Sequence, residues 1–78
     1  MKKKGKSDIR ERFGFAVKSR REELDLTQED LADKAGIHRT YLSDIERGSR
    51  NLRLINIERV GDALSLSLSE LLAQVERP

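Results

Sequence analysis

The stretch Thr27-Gln28-Glu29-Asp30-Leu31-Ala32-Asp33-Lys34-Ala35-Gly36-Ile37-His38-Arg39-Thr40-Tyr41-Leu42-Ser43-Asp44-Ile45-Glu46-Arg47-Gly48 decides how this chain folds. Thr27 is suited to cap a helix, and Asp30 three residues on comes close to a capping box. Leu31 and Ala32 fall on the inward face of that helix. Gly36 stops it in the left-handed conformation that glycine adopts at little cost. Ile37 follows as an apolar plug, and a further helix starts near His38, a modest cap. Leu42 and Ile45 are its buried stripe, and Gly48 ends it. The pattern is two short helices joined by a tight glycine turn. Hydrogen-bonding side chains cluster near the start of the second, which is what setting a helix end in the DNA major groove requires.

The rest of the chain extends this pattern in both directions. Upstream, Asp8 can cap a first helix in which Ile9, Phe13, Ala16, Val17 and Leu24 recur at helical spacing. Gly14 interrupts it at up to ~1 kcal/mol relative to alanine, a cost explained by close approach of a neighbour. Downstream, the loop 49–53 leads to a fourth helix over roughly 54–64. Leu54, Ile57, Val60 and Leu64 lie on one face of it, and Arg53 is a poor cap. Ser67 with Glu70 makes a capping box for a last helix, with Leu68, Leu71, Leu72 and Val75 at i, i+3, i+4 and i+7. Pro78 closes the sequence. No strand signal, internal repeat or linker is seen. The predicted fold class is all-α, a compact five-helix domain over residues 8–78, preceded by a flexible basic arm over residues 1–7.

Bulk properties narrow the function. A chain of 78 residues makes one domain with a marginal core, which pairing with a second copy would stabilise. There is no cysteine and one histidine, so neither a disulfide nor a metal cluster is expected, and no cofactor. No apolar run approaches the ~18 residues of a membrane span, and the N-terminal lysines have no signal-peptide core behind them. A cytoplasmic location is the expectation. The net charge is +2, but Lys2, Lys3, Lys4 and Lys6 lie in the arm, leaving 12 basic and 14 acidic groups in the body. A nucleic-acid site must therefore be a local patch, with the arm either a solvated tail or a phosphate or minor-groove contact. Arg39, Arg47, Arg50 and Arg53 fall within 15 residues and form that patch.

Ala32, Gly36, Leu42 and Ile45 have the spacing of a helix-turn-helix: small at the crossing, glycine at the turn, apolar beneath the second helix. Arg39, Thr40, Ser43, Asp44 and Arg47 then project away from Leu42 and Ile45. An arginine can grip guanine O6 and N7 with two bonds, worth ~1–3 kcal/mol of discrimination. Thr40 can touch a thymine methyl or a phosphate. Asp44 can accept from cytosine N4 or orient Arg39 or Arg47, and the i+3 spacing to Arg47 favours orientation. Gln28 sits in a first helical turn, where free N–H groups attract phosphate. Arg50 and Asn51 suit phosphate clamping. Arg21 and Glu46 both lean toward the core and are expected to pair, tying the first helix to the third. A catalytic reading is poor: there is no second histidine, no cysteine and no glycine-rich phosphate loop.

The pattern Thr27-Gln28, Leu31-Ala32, Ala35-Gly36-Ile37, Tyr41-Leu42-Ser43 and Ile45-Glu46-Arg47-Gly48 resembles the Cro/lambda-repressor-type helix-turn-helix family over roughly residues 9–72. Arg39-Thr40-Tyr41, Ser49-Arg50-Asn51 and Leu54-Ile55-Asn56-Ile57 are most similar to the controller proteins of restriction–modification systems. The resemblance implies a small homodimer that binds double-stranded operator DNA and switches its own promoter, with RNA polymerase as a further partner. It implies base reading by Arg39 and Thr40, backbone contacts near Gln28, Tyr41, Arg50 and Asn51, and an internal Arg21–Glu46 ion pair. The family often has proline and serine or threonine where Leu52 and Arg53 stand, and a polar cap where His38 stands. Leu52, Ile55, Leu66, Leu71, Leu72 and Val75 exceed what one small core should absorb, and are expected to supply the dimer interface. Other readings of the same sequence are a phage-type repressor, an antitoxin, or a protein-interaction module without DNA contact. A neighbouring methyltransferase and endonuclease would support a controller, and a neighbouring toxin an antitoxin.

Overall fold

Five α-helices follow one another in the computed structural model, which describes residues 8–77: α1 (Ile9–Glu23), α2 (Gln28–Ala35), α3 (Arg39–Glu46), α4 (Leu54–Ala63) and α5 (Leu68–Glu76). Among the described residues there is no strand. The expected basic arm, residues 1–7, and Pro78 lie outside them.

Side chains set three of the five helix starts. The Asp8 carboxylate accepts from the Arg10 N–H at 2.8 Å. Thr27 and Asp30 form a complete capping box, with both bonds at 3.0 Å. Ser67 and Glu70 form another, at 3.1 and 2.8 Å. His38 stands at the N-cap of α3, as expected, but its side chain makes no cap bond. Imidazole is not one of the short oxygen-bearing side chains that reach the N2 and N3 N–H groups. Arg53 likewise makes no cap bond at α4.

The first four helices end alike. The N–H groups of Leu26, Ile37, Ser49 and Leu66 each reach back five residues, to Arg21, Ala32, Asp44 and Gly61 carbonyls at 2.9–3.1 Å. The residue before each has a positive φ: Asp25 58°, Gly36 69°, Gly48 77° and Ser65 60°. This is the Schellman arrangement, which satisfies otherwise orphaned carbonyls. Two of these ends run straight into a capping box, so Leu24-Asp25-Leu26-Thr27 and Leu64-Ser65-Leu66-Ser67 are the same turn used twice.

The core joins all five helices. Phe13, Ala16 and Val17 from α1 meet Leu31, Ala32 and Ala35 from α2, Leu42 and Ile45 from α3, Val60 from α4 with Leu64 at its C-terminal end, and Leu71 and Val75 from α5. Helix α1 packs on both α3 and α5, while α2 packs on α3 and α4. Gly14 is buried where α1 crosses the end of α3: a Cβ there would lie 2.4 Å from the Ile45 carbonyl oxygen. The glycine answers to that close approach, as its place in an otherwise regular helix led us to expect.

Some inward assignments are corrected. Leu54 was expected on the inner face of α4 but is 73% exposed. Ile9 and Leu24 are also exposed. All three sit at a helix end, where the helix overhangs the core, so helical spacing alone overstates their burial. Leu71 and Val75 were expected at a dimer interface, yet both are buried within the chain. The reason is that α5 turns this i, i+4 pair toward α1 and leaves Leu72 outward.

Candidate nucleic-acid interface

One carboxylate fixes the angle of α3. Glu46 accepts from Arg21 Nε at 2.7 Å and Nη2 at 3.0 Å, a bidentate pair between α3 and α1. The two side chains are only 11% and 3% exposed. Arg21 Nη1 also donates to the Leu26 carbonyl at 2.9 Å. The hydrogen bonds that Arg21 donates to Glu46 raise its pKa above the ordinary value. The pairing expected from spacing is therefore present. Sequence reasoning missed a third partner: Gln28 Nε2 donates to Glu46 Oε1 at 3.0 Å. An amide expected to face only outward is partly committed inward, and α2 joins the same knot. No spacing rule shows this bond, because it depends on how α2 crosses α3.

With α3 so held, six of the expected residues come together. Gln28, Arg39, Thr40, Ser43, Asp44 and Arg47 line one shallow polar depression of about 230 Å³. Arg39 and Thr40 lie in the first turn of α3 and are exposed. Among the described residues Arg39 has no ion-pair partner. Arg47 donates to Ser43 Oγ at 2.8 Å and pairs with Asp44. Asp44 also accepts from Arg50 Nε at 3.2 Å. Of the two roles read for Asp44, orientation of an arginine is the one its bonds match, and it holds two.

Tyr41 stands slightly apart. The Arg50 guanidinium lies 5.0 Å from the centre of its ring, and Asn56 Nδ2 donates to its hydroxyl at 3.1 Å. Arg50 therefore bridges the depression and a neighbouring apolar cleft of about 190 Å³. Asn51 lines that cleft, with Ile9, Phe13 and Leu72, and is not part of the depression. Among the described residues no group of three or more His, Cys, Asp or Glu could hold a metal ion, and no helix is long and apolar enough to cross a membrane.

A buried crossing of α2 and α3, a left-handed glycine between them and an outward polar face on α3 define a helix-turn-helix. The helix-turn-helix family profile matches residues 17–71, and the chain belongs to that family. Its relatives make the class narrower. Control protein C.MunI of a Mycoplasma species is 43% identical over 72 residues, spanning 91% of this chain and 97% of that one. Control protein C.BamHI of Bacillus amyloliquefaciens is 45% identical over 67 residues, spanning 85% and 83%. The solved structure of C.Esp1396I bound to a 25 base pair operator site is similar with a TM-score of 0.84 at 36% identity, covering 92% of this chain and 95% of that one.

Proposed function

We propose that this chain is a sequence-specific DNA-binding transcription regulator of the restriction–modification controller type. It binds a palindromic operator as a homodimer and regulates its own promoter. The observation that carries this reading is the shared depression of Gln28, Arg39, Thr40, Ser43, Asp44 and Arg47 at the outward end of a clamped α3. An operator-bound relative of nearly the same length supports it.

Arg39 and Thr40 read base edges, being exposed in the first turn of α3. Gln28 keeps one amide hydrogen for a phosphate while the other bonds Glu46. Tyr41, Arg50 and Asn51 flank the reading helix and contact the backbone. Leu54, Ile55 and Leu72 remain as exposed apolar side chains on α4 and α5, and Leu52 and Leu66 are partly buried against the core. A two-fold mate meeting the chain through α4 and α5 places two α3 helices about one DNA turn apart, ~34 Å. Promoter control brings RNA polymerase next to the bound dimer as a further partner.

Selection of bound duplexes from a random pool tests the reading. The wild type is expected to enrich a near-palindrome, and Arg39→Ala to lose preference at one base pair of each half-site, at ~1–3 kcal/mol. Enrichment of the same sequence by both proteins would remove Arg39 from base reading. Failure of the wild type to enrich any sequence would overturn the function.

A further inference from the structure

Asp44 is an acid placed among cations on a face meant for a polyanion. Its side chain is 17% exposed, while those of Arg47 and Arg50 are 63% and 50% exposed. One carboxylate oxygen takes Arg47 and the other takes Arg50. Each arginine has a second anchor: Arg47 on Ser43 Oγ at 2.8 Å, and Arg50 over the Tyr41 ring at 5.0 Å. The backbone is anchored as well, since the Asp44 carbonyl accepts from both the N–H and the Oγ of Ser49 at 3.1 Å. The helix end and the loop that carries Arg50 are thus tied to the residue that holds both guanidinium groups.

A carboxylate binding two arginines occupies the role a DNA phosphate would take. We infer that Asp44 is a specificity-determining residue that acts as a built-in phosphate surrogate, holding Arg47 and Arg50 off non-cognate DNA. The inference rests on the DNA-binding reading. On an arbitrary duplex a phosphate must compete with Asp44 for either arginine, so neither contributes a full counterion-releasing contact. On the cognate duplex both arginines arrive in a fixed pose. Arg39, which has no such partner among the described residues, is left to test base edges first. The acid weakens all binding but weakens wrong binding more.

The test measures wild type, Asp44→Asn and Asp44→Ser against a random-sequence duplex and the duplex the wild type selects, over a range of salt. Both variants are expected to bind the random duplex about tenfold tighter. The logarithmic salt slope should steepen by about 1–2, since each phosphate neutralised contributes roughly 0.9. Binding to the selected duplex should tighten as well but less, so the selected-to-random affinity ratio should fall by less than that tenfold. Asp33→Asn removes an exposed carboxylate of α2 outside this network and should leave the slope unchanged. Adding Arg47→Gln and Arg50→Gln to Asp44→Asn should return the slope to the wild-type value. An unchanged slope in both Asp44 variants would overturn the inference. So would an unchanged random-duplex affinity with preference lost at one cytosine-containing base pair, which would make Asp44 a base reader. A wild type that prefers no duplex at any salt would instead fail the DNA-binding reading itself.

Discussion

Glu46 belongs to α3 yet bonds α1 through Arg21 and α2 through Gln28. Removing one side of a buried ion pair leaves the other charge without its compensation, typically at 3–5 kcal/mol. Arg21→Met should therefore lower the melting temperature by more than about 10 °C for a domain of this size. An unchanged melt would show that the pair holds nothing. The pair was legible in the sequence because each partner falls one helical turn from a core residue, Val17 for Arg21 and Leu42 for Glu46. The Gln28 bond and the grip of Asp44 on Arg50 were not, since both depend on where a loop or a neighbouring helix lies. A second expectation at this scale concerns acid. Asp30 and Glu70 have pKa values lowered from 3.8 and 4.5, first by the backbone N–H bonds of Thr27 and Ser67. Asp8 is pulled down to about 2, first by its side-chain bond with Arg10. Folded values below unfolded ones mean that these carboxylates stabilise the fold above the ordinary carboxylate range. Their contribution is lost as pH falls through the depressed folded values. The melting temperature should drop as pH falls below about 4.5. A chain carrying Asp30→Asn and Glu70→Gln should melt lower near neutrality and lose less on acidification, and an equal acid slope in the two proteins would exclude the caps as its source.

The crossing of α1 and α3 is set by absence of a side chain. Alanine at Gly14 would gain up to ~1 kcal/mol in helix propensity but would push its Cβ against the Ile45 and Glu46 carbonyls, 2.4 and 2.7 Å away. Backbone has to move, so Gly14→Ala should destabilise by about 1–3 kcal/mol net, as overpacked sites do. Chemical denaturation checks this, and a stabilised variant would mean that α1 can slide freely over α3. Helix number, order and most boundaries were legible, because the glycine stops, capping boxes and apolar spacing agree with one another. The ends were less so. Leu54 keeps helical spacing with Ile57 and yet overhangs the core. The left-handed turns at Asp25 and Ser65 carry no glycine, so nothing at those two positions announces them. The signal lay around them, in Leu-x-Leu followed by a capping box, present at both places.

Over the whole molecule, the count of leucine and isoleucine pointed to more apolar surface than one core absorbs, and it was partly misassigned. Leu71 and Val75 belong to the chain's own core, while Leu54, Ile55 and Leu72 stay outside. Counting cannot tell these apart, because all lie on helices that have both an inward and an outward apolar face. If a second copy covers the outward one, Ile55→Arg should sediment as a monomer at micromolar concentration with its own fold intact, while the wild type sediments as a dimer. A wild-type monomer at that concentration would count against the two-fold arrangement, and with it against a palindromic operator.

The three-way knot at Glu46 has one more consequence. All of its bonds run inward, and Arg39 and Thr40 take no part in them. On the proposed reading, the side chains that read the bases are therefore separate from those that tie the knot, while Gln28 serves both the knot and the DNA backbone. On that reading, exchanging those two outward side chains is expected to redirect the chain to another sequence without rebuilding the frame, so that new specificities would lie within a couple of codon changes of this one.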